Sequence, residues 1–396
     1  MMFSHHIQYN KTPTNKDKMN RKQLFKLHSW AALFAMIPIL IISITGSIIV
    51  FKPEIDSWLM PENAQLSGSA SQRKDYDTLL QSIYQQLPEY EMGTWEVFDD
   101  KQTSDAIYVI KSGTFDWYKV YLNPYTGQTL SEPVPLNHYL TDWLVELHYT
   151  FLLHESGIML GFIFALIFLF LGISGLIIYR KFWQRFFTLR WDKQLAVFFS
   201  DFHKMVGVIS APVLVILAFT GGYWNMATFL HEMEDAEQHR TYTLNERRYD
   251  NGVSFERLSK DALERIENFN ITYVVFPYEP DHEISFYGSV PTGNPLMSDY
   301  TSGATYNRLT GDFVAKWDIR EQGLGTKTLD SFRALHFGTF AGMTSRILWC
   351  VLGAAPVFLS ITGFYLWYQR RRKRQQSRKN RTGKQLPIGS EAHGTA

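Results

Sequence analysis

Four stretches of the chain are long, nearly uninterrupted apolar runs: Ser29–Phe51, Ile158–Tyr179, Met205–Met226 and Ile347–Tyr368. About 20 apolar residues suffice to cross a bilayer as a helix, so each run predicts a membrane span. A cleavable signal peptide competes for the first run but fits it poorly. The run is too long, and it passes into Val50-Phe51-Lys52-Pro53 without a small-residue cleavage site. Between the runs the period changes. Tyr76–Leu87 and Phe255–Phe269 place apolar residues at helical spacing, whereas Ala106–Lys111 and Glu283–Val290 alternate as half-buried strands do. The expected fold class is an α-helical membrane protein. A four-transmembrane-helix bundle carries two small α+β extramembrane domains, each with an antiparallel sheet.

Charge sets the orientation. Basic residues gather at Lys16–Lys26, Arg180–Lys193 and Arg370–Arg381, each beside an apolar run, and Trp and Tyr cluster at the ends of those runs. The three basic segments can share one side of a membrane only with an even number of spans, which four satisfies. The positive-inside rule then makes both termini cytoplasmic and places the two extramembrane domains in the periplasm, across a bacterial inner membrane. The predicted organisation is a disordered cytoplasmic N-terminus (1–20), a first span (21–51) and a first domain (52–140). A second span with an outer helical extension (141–182) leads through a cytoplasmic link (183–199) to a third span (200–228). A second domain (229–328), a fourth span with its own extension (329–370) and a basic cytoplasmic tail (371–396) complete the chain.

The two halves of the chain match. His28 precedes Thr45-Gly46 by 17 residues, and His203 precedes Thr220-Gly221 by 17. Proline follows each histidine at nearly the same place, as Pro38 and Pro212. His148 precedes Ser174-Gly175 by 26 residues, and His336 precedes Thr362-Gly363 by 26. Outside the spans, Asn123-Pro124-Tyr125-Thr126-Gly127 parallels Asn307-Arg308-Leu309-Thr310-Gly311, each a strand running into a turn that needs glycine. The architecture is therefore read as internally duplicated.

Composition limits the chemistry. The formal net charge of +1 across 396 residues gives no reason to expect nucleic acid. With Cys350 as the single cysteine, disulfide scaffolds, thiolate zinc sites and iron–sulfur clusters are excluded. What remains is histidine. His28 and His203 fall at the cytoplasmic ends of their spans, and His148 and His336 toward the outer ends of theirs. Two imidazoles facing each other from neighbouring helices suit the axial positions of a low-spin haem iron. The competing reading of each is an interfacial polar anchor. Gly46, Gly175, Gly221 and Gly363 serve close helix packing or leave room for a flat macrocycle. Arg180, Arg185, Arg190 and Lys204 are candidate partners for propionates, although topology alone accounts for them. His154 aligns with Gly342 and is not repeated, and His231 sits just past the third span beside Glu232; both are weaker candidates as metal ligands. His5, His6 and His393 read as parts of disordered termini. On an unbroken helix His148 stands ten residues, about 15 Å, before the apolar run at Ile158, which puts the outer pair above the hydrocarbon core.

The Leu-His pairs at the heads of spans, the Thr-Gly or Ser-Gly pairs at their far ends and the Asn-Pro-Tyr-Thr-Gly turn resemble the PepSY-associated transmembrane helix family. This family includes iron-regulated inner-membrane proteins of the ferrioxamine reductase type. The resemblance covers about residues 20 to 372. It implies two periplasmic PepSY-like domains and, in the siderophore-reductase branch, haem b held by helix histidines, here two haems on His28, His148, His203 and His336. The implied activity is one-electron reduction of a periplasmic ferric siderophore, fed by a cytoplasmic or quinol donor. Trp95, Trp117, Tyr118 and Tyr278 are candidates to line a chelate site, with sheet core as their alternative. Two other functions stay open. One is a non-enzymatic PepSY module that binds a peptidase or sensor partner in the membrane. The other is a component of siderophore or iron transport, against which the spans show few polar residues and no broken helices with midplane sites.

Overall fold

A computed structural model of the chain describes residues 20–66, 72–179, 189–191, 194–237 and 243–383. His5, His6, His393, Arg180 and Arg185 lie outside the described residues.

The first apolar run forms two helices, α1 (Arg21–Phe34) and α2 (Met36–Ile49), bent by 66° at Ala35. Asn20 starts α1 with a capping box closed by Gln23. Pro38 explains the break: it has no N–H to give, and its ring would collide with the carbonyl of Phe34 in a continuing helix. Two short helices, α3 (Lys52–Leu59) and α4 (Pro61–Ala64), lead to α5 (Tyr76–Gln86) and four strands, β1 (Tyr90–Glu96), β2 (Asp105–Lys111), β3 (Trp117–Leu122) and β4 (Val134–Pro135). The chain then turns into α6 (Leu140–Thr150) and α7 (His154–Ile178). The long helix α8 (Leu195–Glu237) tolerates Pro212 without breaking. There follow α9 (Phe255–Arg265), β5 (Asn270–Val275), β6 (Ile284–Ser289), β7 (Ser302–Tyr306) and β8 (Phe313–Trp317). The last helices are α10 (Leu324–Phe337), α11 (Gly342–Gly353) and α12 (Ala355–Gly383).

Among the described residues three helical stretches are long and apolar enough to cross a membrane, and the bent pair α1–α2 makes a fourth if counted as one span. The first span is therefore a bent one. The last span is interrupted at Ala354, two residues before Pro356, and the first at Ala35. One correction concerns the outer histidines. α6 and α7 are not one helix: Phe151, Leu152 and His154 adopt left-handed backbone (φ 53°, 61° and 51°), which breaks the helix between them. Glycines at 338 (φ 69°) and 342 (φ 59°) make the equivalent break between α10 and α11. α6 and α10 fold back beside the spans, and the 15 Å offset of the unbroken helix does not arise.

The eight strands form one antiparallel sheet in the order β4-β3-β2-β1-β5-β6-β7-β8. The two expected small sheets are thus fused edge to edge, with Thr94, Trp95 and Glu96 opposite Val275, Val274 and Tyr273. α5 and α9 cover one face, and a single apolar core runs across the junction from Leu79, Ile83 and Trp95 to Phe255, Phe286 and Tyr306. The other face meets α3, α4 and α6. There Lys52 pairs with Asp142 (2.6 Å) and Asp56 (2.7 Å), and buried Lys119 pairs with Asp142 (3.1 Å). These ion pairs tie the head of α6 to the sheet. Arg346 of α11 ties the fourth span to Glu54 and to the Val50 carbonyl.

Two predictions follow from buried charge in the sheet. Asp105 is fully buried and accepts from Trp95 Nε1 (2.7 Å), the Phe98 amide (3.2 Å) and Arg73. Asp105→Ala strands the guanidinium and the indole N–H, and thermal melts of the detergent-solubilised chain should show a loss of about 3–5 kcal/mol. Glu96 lies at the junction, where burial pushes its carboxyl up against the pull of Lys119, Arg333 and Lys52. A raised carboxyl pKa means the folded state holds this proton more tightly, so its contribution to stability fades as pH rises from the ordinary glutamate range of about 4. Melts from pH 4 to 7 should show the parent losing stability relative to Glu96→Gln; a parallel pair of curves contradicts the assignment.

Candidate functional site

The four repeat histidines come together in two pairs. On the sheet side, His148 of α6 faces His336 of α10, with ring centres 6.4 Å apart and planes crossed at 68°. His148 Nδ1 lies 3.1 Å from Thr45 Oγ1 and 3.0 Å from the Ile42 carbonyl, both on α2. His336 Nδ1 lies 2.8 Å from Thr220 Oγ1 on α8, and Trp224 packs edge-on against the ring at 5.1 Å. The glycine after each threonine makes the space for the imidazole. A Cβ on Gly46 would stand 2.7 Å from His148 Cε1, and one on Gly221 would stand 3.0 Å from His336 Cε1.

At the opposite end of the spans the arrangement recurs. His28 Nδ1 is 2.7 Å from Ser174 Oγ, and His203 Nδ1 is 2.8 Å from Thr362 Oγ1. The glycine contacts are looser here, at 3.7 Å for Gly175 to His28 and 3.4 Å for Gly363 to His203. Both rings line a cavity of about 260 Å³ whose wall also carries Arg21, Lys204 and Arg370. Lys204 sits over the Tyr179 ring and Arg370 over Phe25, so the cationic heads share the cavity rim with aromatic surface. Arg190 pairs with Asp201 at 2.8 Å. The two levels are marked on α8 by His203 and Thr220, 17 residues or about 25 Å apart along the helix.

One connection escaped the sequence reading. The four glycines serve packing, as expected, but together with the hydroxyl before each they form the docking point of a histidine from another helix. In the first half of the chain His28 meets Ser174 and His148 meets Thr45, and in the second half His203 meets Thr362 and His336 meets Thr220. The signal was in the chain: every repeated histidine has a hydroxyl–glycine counterpart, and both sets recur at the same spacing.

The weaker candidates fall elsewhere. The His154 side chain is 84 % exposed, its Nδ1 3.9 Å from Glu146. His231 is exposed on the final turns of α8. Trp95 is fully buried core, Tyr118 packs against that core, and Trp117 and Tyr278 pack on each other at 4.9 Å.

The donor set decides what such a pair can hold. Among the described residues no hydrogen bond occupies Nε2 of any of the four histidines. Nor does any group of three or more His, Cys, Asp or Glu gather in a geometry that could hold a metal. Two imidazoles leave a protein-only zinc site short of ligands but make a complete axial set for haem, whose macrocycle supplies the rest. Two imidazoles bonded through Nε2 to one ion at about 2 Å each put their ring centres about 6 Å apart, close to the separation of His148 and His336. The donor set and spacing of His148 and His336 therefore suit haem better than a protein-only metal site.

These features define a multi-pass helical membrane protein with a fused sheet and histidines paired between its helices. The chain belongs to the family described as the PepSY-associated TM region, whose model matches residues 25–370. It is also similar to the uncharacterised protein PA4219 of Pseudomonas aeruginosa, at 21 % identity over 251 residues. That match covers 58 % of this chain and 64 % of the relative, so the chain spans just under two thirds of the relative's length.

The glycine distances predict a graded series. Gly46→Ala and Gly221→Ala overpack against an imidazole and should each lower stability by about 1–3 kcal/mol. Gly175→Ala meets its ring at an ordinary contact distance and should be nearly neutral. Thermal melts of the four single alanine variants test the ranking, and equal losses at all four positions would refute it.

Proposed function

We propose that the chain is a haem-containing reductase of the bacterial inner membrane, passing electrons to a periplasmic ferric siderophore through two haems b. The observation that carries this reading is the pairing of four histidines at two levels, His148 beside His336 and His28 with His203 on one cavity, each with its Nδ1 at a hydroxyl. On this reading the chain is a tandem duplication folded as a four-span bundle, with α5 and β1–β4 as one PepSY-like unit and α9 and β5–β8 as the other. The basic ends of the spans are cytoplasmic, as are both termini, and the fused sheet is periplasmic.

Haem bound at each pair supplies a one-electron carrier whose potential its axial ligands and burial set. His28 and His203 would hold one carrier near the cytoplasmic end, within reach of a quinol or cytoplasmic donor. Arg21, Lys204 and Arg370, on the wall of that cavity, would neutralise the carboxylates of such a group. His148 and His336 hold the second carrier beneath the sheet, with Gly46 and Gly221 keeping the rings in place and Trp224 shielding one of them. The substrate takes one electron, its Fe(III) becoming Fe(II), and hard siderophore oxygens hold the reduced ion far less tightly. No acid–base residue is required for that step.

The decisive measurement is a dithionite-reduced minus oxidised spectrum of the membrane-extracted protein. The parent should show a b-type signal. His28→Ala and His336→Ala should each lose roughly half of it, and the double variant all of it. Spectra unchanged by either substitution remove these residues as ligands, and a parent without a Soret band favours a module that binds a partner without redox chemistry.

A further inference from the structure

The hydroxyls that meet the four imidazoles do more than fill space. A hydroxyl has one proton to donate. Thr45 Oγ1 donates it to the Ile41 carbonyl (2.7 Å), Thr220 Oγ1 to that of Ile216 (2.8 Å) and Thr362 Oγ1 to that of Phe358 (2.7 Å), each one turn back on its own helix. With that proton committed, the oxygen can only accept from the imidazole, so Nδ1 must carry the hydrogen. His148 supports this independently, because the Ile42 carbonyl 3.0 Å from its Nδ1 has no proton to give. Thr45, Thr220, Thr362 and Ser174 are all 5 % exposed or less, so bulk water does not compete for these contacts. Ser174 is the loosest case, its own bond to the Leu171 carbonyl being 3.3 Å long.

We infer that Thr45, Thr220, Thr362 and Ser174 are positioning residues that fix each histidine as the Nδ1–H tautomer, so that Nε2 carries the one lone pair offered to a ligand. A neutral imidazole has one protonated and one acceptor nitrogen. Committing Nδ1 to an oxygen orients the ring and raises the basicity of Nε2. The tautomer assignment stands on hydrogen-bond geometry alone. Only its consequence for electron transfer rests on the function proposed above: a more basic axial ligand favours oxidised iron, so each hydroxyl holds its haem at a lower potential than a bare imidazole would.

Thr220 is the position to test, because His336 has no second acceptor on Nδ1. Thr220→Val keeps the shape and removes the oxygen, and Thr220→Ser restores it. Histidine-selective ¹⁵N NMR of the full-length, detergent-solubilised chain without haem should show His336 protonated at Nδ1 in the parent and the serine variant, and a tautomer mixture in the valine variant. With haem loaded, the valine variant should be reduced more easily, a tenfold shift in the equilibrium corresponding to about 59 mV for one electron, and serine should reverse it. Protonation of His336 at Nε2 in the parent, or a valine variant with unchanged tautomer and midpoint, overturns the inference. A chain that binds no haem ends the redox reading, and the NMR measurement still decides the tautomer.

Discussion

The contact on which the membrane core depends is the hydrogen bond from imidazole Nδ1 to a hydroxyl on another span. Spans in lipid gain nothing from apolar burial against one another, so close packing and a few polar contacts must specify how they meet. Here each polar contact is coupled to a glycine that lets the ring lie against the partner backbone. The two features are interdependent. At Gly46 and Gly221 a side chain would collide with the ring that reaches the hydroxyl, and without Thr220 the buried Nδ1–H of His336 would lose its partner. Because α8 carries both His203 and Thr220, a shift of that one helix disturbs a histidine contact at both levels.

Much of this was legible in the sequence, and what was missed has physical causes. The spans, the histidine pairs and the strand–turn–glycine units follow from hydropathy and from repeat spacing that needs no gap. The breaks after α6 and after α10 did not. The first is made by Phe151, Leu152 and His154, residues that give no turn signal, so tertiary packing imposes their left-handed backbone. Its counterpart is marked by glycines at 338 and 342, which look in the sequence like ordinary small residues of a span. Pro38 and Pro212 occupy nearly equivalent repeat positions, yet one breaks its helix and the other does not. Proline removes one hydrogen bond in either case, and the surrounding packing decides whether the chain bends or absorbs the loss. Fusion of the two sheets was likewise illegible, because strand alternation reports which face is buried and not which edge is paired.

The fused sheet explains how the sheet-side histidines keep their separation. α6 follows β4 and α10 follows β8, and these strands are the two opposite edges of the sheet. Eight strands span about 34 Å across the hydrogen-bonding direction, yet the helices that descend from the two edges converge to a ring separation of 6.4 Å. Any hinge between the halves would be amplified at that meeting point. The β1–β5 junction is short, with three residues paired on each strand, and alone would be a poor brace. It is reinforced on the helical face. Asp77 of α5 accepts from the Phe255 amide at the start of α9 (2.7 Å), Glu256 of α9 accepts from the Tyr76 amide (3.1 Å), and Tyr84 bonds Tyr249 (2.9 Å). Each helix thus lends a carboxylate to the first turn of the other, where the helix dipoles favour negative charge. With the apolar core continuous beneath them, the two halves behave as one plate. A plate suspended over the bundle by its two edges can hold two rings at ligand distance without any direct bond between them.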